Sequence, residues 1–276
     1  MALTFRNYSA DQVDAARSVL LELVHLLGEY RDDIVVVGGL VPLLILPTGL
    51  ERHVGSIDVD LALNHRTLRD AGYATIQALL LRRGYEQDPR QPFIFHRKVV
   101  VKGNSIKVEV DFLSSEYGGT GPKHRTQRVH EGRARKARGC DLAFDLYVET
   151  DIQGELPEGG KDQARIRVSS AVAFLVMKGM ALHDRLKEKD AYDICFTLTN
   201  YPGGLDELAE RFKPHLGNRL VKEGLRKLAE KFASPEHMGP KFVADFVDIQ
   251  DPDARAIRMR DAFERVDQLL RMLGVR

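Results

Sequence analysis

The chain has 276 residues, enough for two domains that each bury a core. Its 41 lysines and arginines stand against 40 aspartates and glutamates, so no global field recruits nucleic acid and any such binding must rest on a local patch. Two cysteines, Cys140 and Cys195, lie far apart and outside any CxxC or Cys/His spacing, which suits a reducing compartment and excludes a structural zinc site.

The opening MALTFRNYSADQVDAARS lacks the basic start and apolar stretch of a secretory signal. The longest apolar run, IVVVGGLVPLLILP at 34–47, is too short to span a bilayer. The expectation is a cytoplasmic protein with no membrane partner.

In chain order, Ser9 is placed to cap a helix reaching about Tyr30, with Val13, Ala16, Val19, Leu20, Leu23 and Leu27 as its apolar stripe. DIVVVGG reads as a buried strand that ends in a tight turn, and LVPLLIL as a short helix with Pro42 in its first turn. IDVDLAL is the next strand. Asn64 is the expected cap of a helix that stops near Gly84. FIFHRKVVVKGNSIKVEVDFL predicts a β-hairpin turning at KGNS. After a polar stretch from Ser114 to Gly139, DLAFDLYVE reads as a further strand. From about Arg165 the periodicity is helical. The predicted class is therefore mixed α/β (α+β): an N-terminal domain over 1–150 with a mixed sheet flanked by helices, then an all-helical domain over 165–276. The loop ETDIQGELPEGGKDQ, 149–163, is the expected boundary.

Chemistry concentrates in three elements. Gly38-Gly39 lies between a strand and a helix, where backbone can approach a ligand closely and amide N–H groups can meet phosphate oxygens. In IDVDLAL, Ile57, Val59, Leu61 and Leu63 alternate on one face, so Asp58 and Asp60 share the other and repel each other. In KVEVDFL, Val108, Val110 and Phe112 take one face, while Lys107, Glu109, Asp111 and Leu113 take the other. If the two strands are neighbours, three or four carboxylates converge. That crowding is costly alone and sensible around two divalent cations about 3.5–4 Å apart, the arrangement of phosphoryl and nucleotidyl transfer.

Gly-Gly, a D-x-D strand and a later acid on a strand together resemble the nucleotidyltransferase superfamily that includes DNA polymerase β. Within it the chain is similar to the AbiEii-type toxin nucleotidyltransferases, relatives of the MenT toxins. Two further stretches carry the narrower resemblance: HVGSIDVDL, with Ser56 two positions before the first aspartate, and KGMALHDRLKEKDAYDI, with Lys178, Arg185, Asp190 and Asp193 at the family's spacing. Val54 departs from the pattern, standing where many relatives have arginine, so that one phosphate or base contact is either missing or replaced by Arg52 or His53.

The resemblance implies Mg2+ (or Mn2+) held by Asp58, Asp60 and Asp111, with Glu109 the alternative third acid. Gly38, Gly39 and Ser56 would cradle the phosphates of an NTP. Lys178, which interrupts the apolar run AVAFLVM, lies on the same helix side as Arg185 and would neutralise nucleotide charge, with Asp193 also at the nucleotide. It implies transfer of a nucleoside monophosphate to a tRNA 3′ end by a toxin with a cognate antitoxin. The stretch PKHRTQRVHEGRARKARG, 122–139, carries seven lysines and arginines against one acid, and its Arg133, Arg135 and Lys136 are candidate RNA contacts. Two other readings stay open: transfer to a small, aminoglycoside-like molecule or a protein side chain, and a catalytically silent nucleotide-binding or antitoxin module.

Overall fold

The computed structural model describes residues 4–47, 52–64, 66–68, 70–115, 126–129 and 132–276, except for the side chains of 70–71, 126–129 and 132–134. It divides into two compact units, one of 8–44 with 55–170, the other of Ala171–Arg276 with the described parts of 1–7 and 45–54.

The first unit begins with helix α1 (Ala10–Leu26), capped as expected. Ser9 Oγ accepts the N–H of Gln12 at 3.3 Å, and the Gln12 side chain accepts the N–H of Ser9 at 3.1 Å. Ser9→Ala removes half of this reciprocal pair. The expected loss is ~1 kcal/mol, read as a fall of ~2–4 °C in the thermal midpoint. The helix ends at Leu26, and a 3-10 turn over Gly28–Asp33 leads into strand β1 (Ile34–Val37). A second 3-10 turn, Gly38–Leu40, then enters the short helix α2 (Val41–Ile45).

Strand β2 (Asp58–Leu63) follows, then helix α3 (Asp70–Arg82). Asn64 does not cap α3: its side chain takes the N–H of Arg66 in a local turn six residues before the helix starts. Strands β3 (Glu86–Gln87), β4 (Ile94–Val101) and β5 (Asn104–Ser114) come next. The β4–β5 hairpin is as expected but tighter. Val101 pairs with Asn104, which leaves Lys102 and Gly103 at φ 49° and 83° as a two-residue turn twisted to match the strands.

Three expectations are corrected beyond this point. The polar stretch after Ser114 contains a hairpin of β6 (Thr126–Val129) and β7 (Gly132–Lys136), with β7 running parallel to the end of β5. DLAFDLYVE begins as a helical turn, α4 (Cys140–Asp145), and only then becomes strand β8 (Tyr147–Glu155). The segment read as a boundary loop is itself a hairpin: β8 pairs with β9 (Lys161–Ser169) from Tyr147↔Ser169 to Glu155↔Lys161. Most of β8 faces solvent on both sides, so it lacks the alternating pattern that betrays a half-buried strand, and backbone pairing alone defines it.

These strands form one mixed sheet in the order β3-β4-β5-β2-β1-β9-β8, with β7 against β5 and β6 against β7. The face bearing Val36, Leu61, Val59, Val110 and Phe112 is buried, and α1 packs on the sheet through Leu20, Leu21 and Leu23. Strand alternation therefore turns Asp58, Asp60, Glu109 and Asp111 to the opposite face.

The second unit consists of α5 (Ala171–Arg185), α6 (Glu188–Asn200), α7 (Gly204–Phe212), α8 (Arg219–Lys231), α9 (Met238–Phe246) and α10 (Pro252–Met272). Phe174, Phe212, Phe232 and Phe246 are fully buried in it. Helices α5 and α8 cross at Gly179 and Gly224, where a Cβ on Gly179 would stand 2.9 Å from the Gly224 carbonyl oxygen. No helix among the described residues is long and apolar enough to cross a membrane.

Candidate active site

The site starts from the register of two strands. β2 and β5 run parallel, with Asp58 opposite Glu109 and Asp60 opposite Asp111. Residues paired in this way point to the same face, so four carboxylates stand in a two-by-two patch. β1 flanks the patch from the other side, pairing Val37 with Asp60.

The chain leaves β1 through Gly38, whose φ of +73° is a conformation that a side chain would strain. A Cβ there would lie 1.8 Å from Asp60 Oδ2. The glycine turn is thus built directly over the Asp60 carboxylate, and no other residue fits without displacing it. Gly39 follows, buried at the start of the turn into α2.

Each acid has its own surroundings. Asp58 accepts a hydrogen bond from Ser56 Oγ, and the Ser56 side chain is buried beside it. Glu109 is half-exposed and lies 3.7 Å from His96 Nε2, its partner across β4. Asp111 is the buried one. Its Oδ2 accepts from Arg135 Nη1 at 2.7 Å, while its Oδ1 is buried with no hydrogen-bond partner among the described residues. Burial pushes the Asp111 carboxyl up to about 6; the Arg135 charge opposes this, and the charges of Glu109 and Asp58 add to it. With Asp58 held by Ser56 and Asp111 by Arg135, no three His, Cys, Asp or Glu side chains among the described residues form a ready-made metal cluster.

The later motif folds inside the helical unit as a buried ion cluster. Lys178 Nζ lies 2.7 Å from Asp190 Oδ1 and 2.7 Å from Asp193 Oδ2. Arg185 donates to both oxygens of Asp190 at 2.7 Å, and Lys189 donates to Asp193 at 2.7 Å. His53 closes the cluster, with Nε2 2.9 Å from Asp193 Oδ1 and its ring stacked on Tyr192 and edge-on to Phe196. Burial alone would push the Lys178 ammonium down, but the charges of Asp190 and Asp193 outweigh it and hold it above the usual lysine range. For Asp193, burial favours the neutral acid. The charges of Lys178 and Lys189 and the bond from His53 win, and keep it well below the usual carboxylate range.

Asp58, Asp60, Glu109, Asp111, Gly38, Gly39 and Ser56 therefore come together in one unit, and Lys178, Arg185, Asp190 and Asp193 in the other. The partners of two candidate residues are not written in the sequence. His53, named there as a stand-in for arginine, is a buried partner of Asp193. Arg135, named there as a candidate RNA contact, holds Asp111. Lys136 pairs with Ser114 in the sheet register beside it, and the side chain of Arg133 lies outside the described residues, as do 122–125 and 130–131.

Comparison with curated proteins and with solved structures gives no match. Comparison with protein families matches residues 23–270, nearly the whole chain, to the family described as "Nucleotidyl transferase AbiEii toxin, Type IV TA system". That span contains the glycine turn, both acidic strands and the helical ion cluster, so the chain is a nucleotidyltransferase of the AbiEii toxin family of type IV toxin–antitoxin systems.

Proposed function

We propose that the chain transfers a nucleoside monophosphate from an NTP to a tRNA 3′ end in a Mg2+-dependent reaction that releases pyrophosphate. Membership of the family brings an NTP substrate and an antitoxin partner; the tRNA acceptor and the metal are our reading. The observation that carries it is the β2/β5 register, which sets Asp58 and Asp60 against Glu109 and Asp111 beneath the glycine turn.

The residues present suit a divalent cation. Asp111 Oδ1 is a buried acceptor without a partner among the described residues, and the absent Cβ at Gly38 leaves the Asp60 carboxylate its place. A cation there would offset the repulsion of like charges that burial makes acute at Asp111. Asp58 and Asp60 would hold Mg2+, with Asp111 the third ligand; Asp111 suits that better than Glu109 because it is buried opposite Asp60, whereas Glu109 is half-exposed. The bound ion would supply Lewis-acid stabilisation of charge on the transferring phosphoryl group.

The other roles belong to the chain's own groups. Gly38 and Gly39 present backbone close to the acids, where phosphate oxygens would be received. Ser56 fixes the rotamer of Asp58 through its hydroxyl. Lys178 and Arg185 share Asp190, and Lys178 also holds Asp193: with its ammonium already between two carboxylates, Lys178 has little charge left to lend a phosphate.

Incubating the protein with each labelled NTP and total tRNA tests the reading. The expected result is label on tRNA in the presence of Mg2+, none with chelator, and a yield that falls steeply as salt rises. Label that appears only on a small-molecule acceptor, with no salt dependence, would replace the tRNA reading.

A further inference from the structure

We propose that Arg135 is a displaceable counter-ion. It holds Asp111 while the site is empty of substrate and moves to a substrate phosphate when one arrives, which opens Asp111 to the metal. The inference rests on the reading of Asp58, Asp60 and Asp111 as metal ligands.

Three features of the ion pair carry it. Its two ends differ: the Asp111 side chain is 3% exposed and the Arg135 side chain 44% exposed, so the acid is fixed and the guanidinium can leave through solvent. The ribbon that carries Arg135 is short, and among the described residues β7 pairs with β5 only at Leu113↔Arg135 and Ser114↔Lys136. The bond takes Asp111 Oδ2 at 2.7 Å while Oδ1 stays buried and unpartnered among the described residues, so Arg135 satisfies half of the carboxylate and its charge repels any cation from the other half.

A guanidinium and a divalent cation cannot share that carboxylate without strong repulsion. Arginine does not escape by losing its proton, so it must find another anion. Phosphate is the matching chemistry, because the guanidinium fork binds its oxygens two at a time. Arg135 lies in the basic stretch 122–139, which suits an approaching polyanion. The consequence is an order of events: metal binding at Asp111 is weak until phosphate is present.

The test is Mn2+ binding, followed by the electron paramagnetic resonance of the free ion, on the full chain without nucleotide. It compares wild type, Arg135→Gln, Asp111→Asn and the double variant. Arg135→Gln is expected to bind Mn2+ ~10-fold tighter than wild type, since one close repulsive charge is gone, and Asp111→Asn should cancel that gain. Arg135→Lys keeps the charge and should show less than half of the gain, which separates charge from loss of side chain. Unchanged or weaker binding by Arg135→Gln, alongside weaker binding by Asp111→Asn, overturns the proposal and leaves the acid site standing. Binding indifferent to Asp111 in both backgrounds overturns the acid site and the proposal together. In a second arm, an RNA oligonucleotide and a non-hydrolysable NTP are titrated separately into wild type and Arg135→Gln. Several-fold weaker binding of one identifies the phosphate that Arg135 moves to, and undiminished binding of both overturns the exchange.

Discussion

Asp60→Asn is expected to lower the single-turnover rate of NTP incorporation by on the order of 10³-fold or more, equivalent to ~4 kcal/mol of transition-state stabilisation. Asp60 lies between Val37 of β1 and Asp111 of β5, and its carboxylate lies under Gly38 with no room for a larger group. Asparagine has nearly the same shape, so it occupies the same space and leaves the sheet intact. What it lacks is the negative charge that a divalent cation needs.

The stability outcome has the opposite sign. Asp60 shares a face with Asp58, Glu109 and Asp111, so removing its charge relieves repulsion. The variant should melt at the same temperature as wild type or slightly above it, since asparagine keeps the shape while three neighbouring acids no longer repel the group. Undiminished incorporation by a folded Asp60→Asn protein, at matched Mg2+, would remove Asp60 from the site.

Lys178→Ala is expected to cost stability first, by ~3–5 kcal/mol, because it strips a shared cation from two buried carboxylates. Asp190 would keep Arg185, and Asp193 would keep Lys189 and His53, but the ammonium 2.7 Å from both is lost. Linkage fixes how this varies with pH. Asp190 and Asp193 have folded-state values below the ordinary 3.8, so the stability they contribute is present above that value and is lost as pH falls below it. Lys178 has its folded-state value raised above the ordinary 10.5, so its contribution is complete below that and is lost only as pH rises beyond it.

The gap in urea midpoint between wild type and Lys178→Ala should therefore be wide at neutral pH. It should narrow progressively as pH drops below about 4, where the unfolded chain takes up protons that the paired acids of the folded wild type still refuse. A variant with wild-type urea stability but no transfer activity would show that Lys178 serves the nucleotide directly and would defeat the holding role.

Much of this site was legible in one dimension. The alternation of Ile57, Val59, Leu61 and Leu63 put Asp58 and Asp60 on a common face without any knowledge of neighbours, and the same holds for Glu109 with Asp111. Ser9 announced its helix, Gly38-Gly39 its turn, and the hairpin its two strands, because each is decided by residues within a few positions of one another. Charge partners were another matter. His53 meets Asp193 across 140 positions and Arg135 meets Asp111 across 24, and nothing in the local texture of either segment marks the pairing.

The sequence by itself determined the mixed α/β class, the two acidic strands and the glycine turn, since periodicity and backbone freedom are properties of short stretches. Tertiary structure decided that β2 and β5 lie side by side in the register that sets Asp60 against Asp111. It also decided that Lys178 is consumed by Asp190 and Asp193, and that β8 and β9 extend the sheet where a linker was expected. The reason is common to all three. Strand order, register and ion pairing depend on which distant segments desolvate each other, and a one-dimensional pattern records only which face each segment offers.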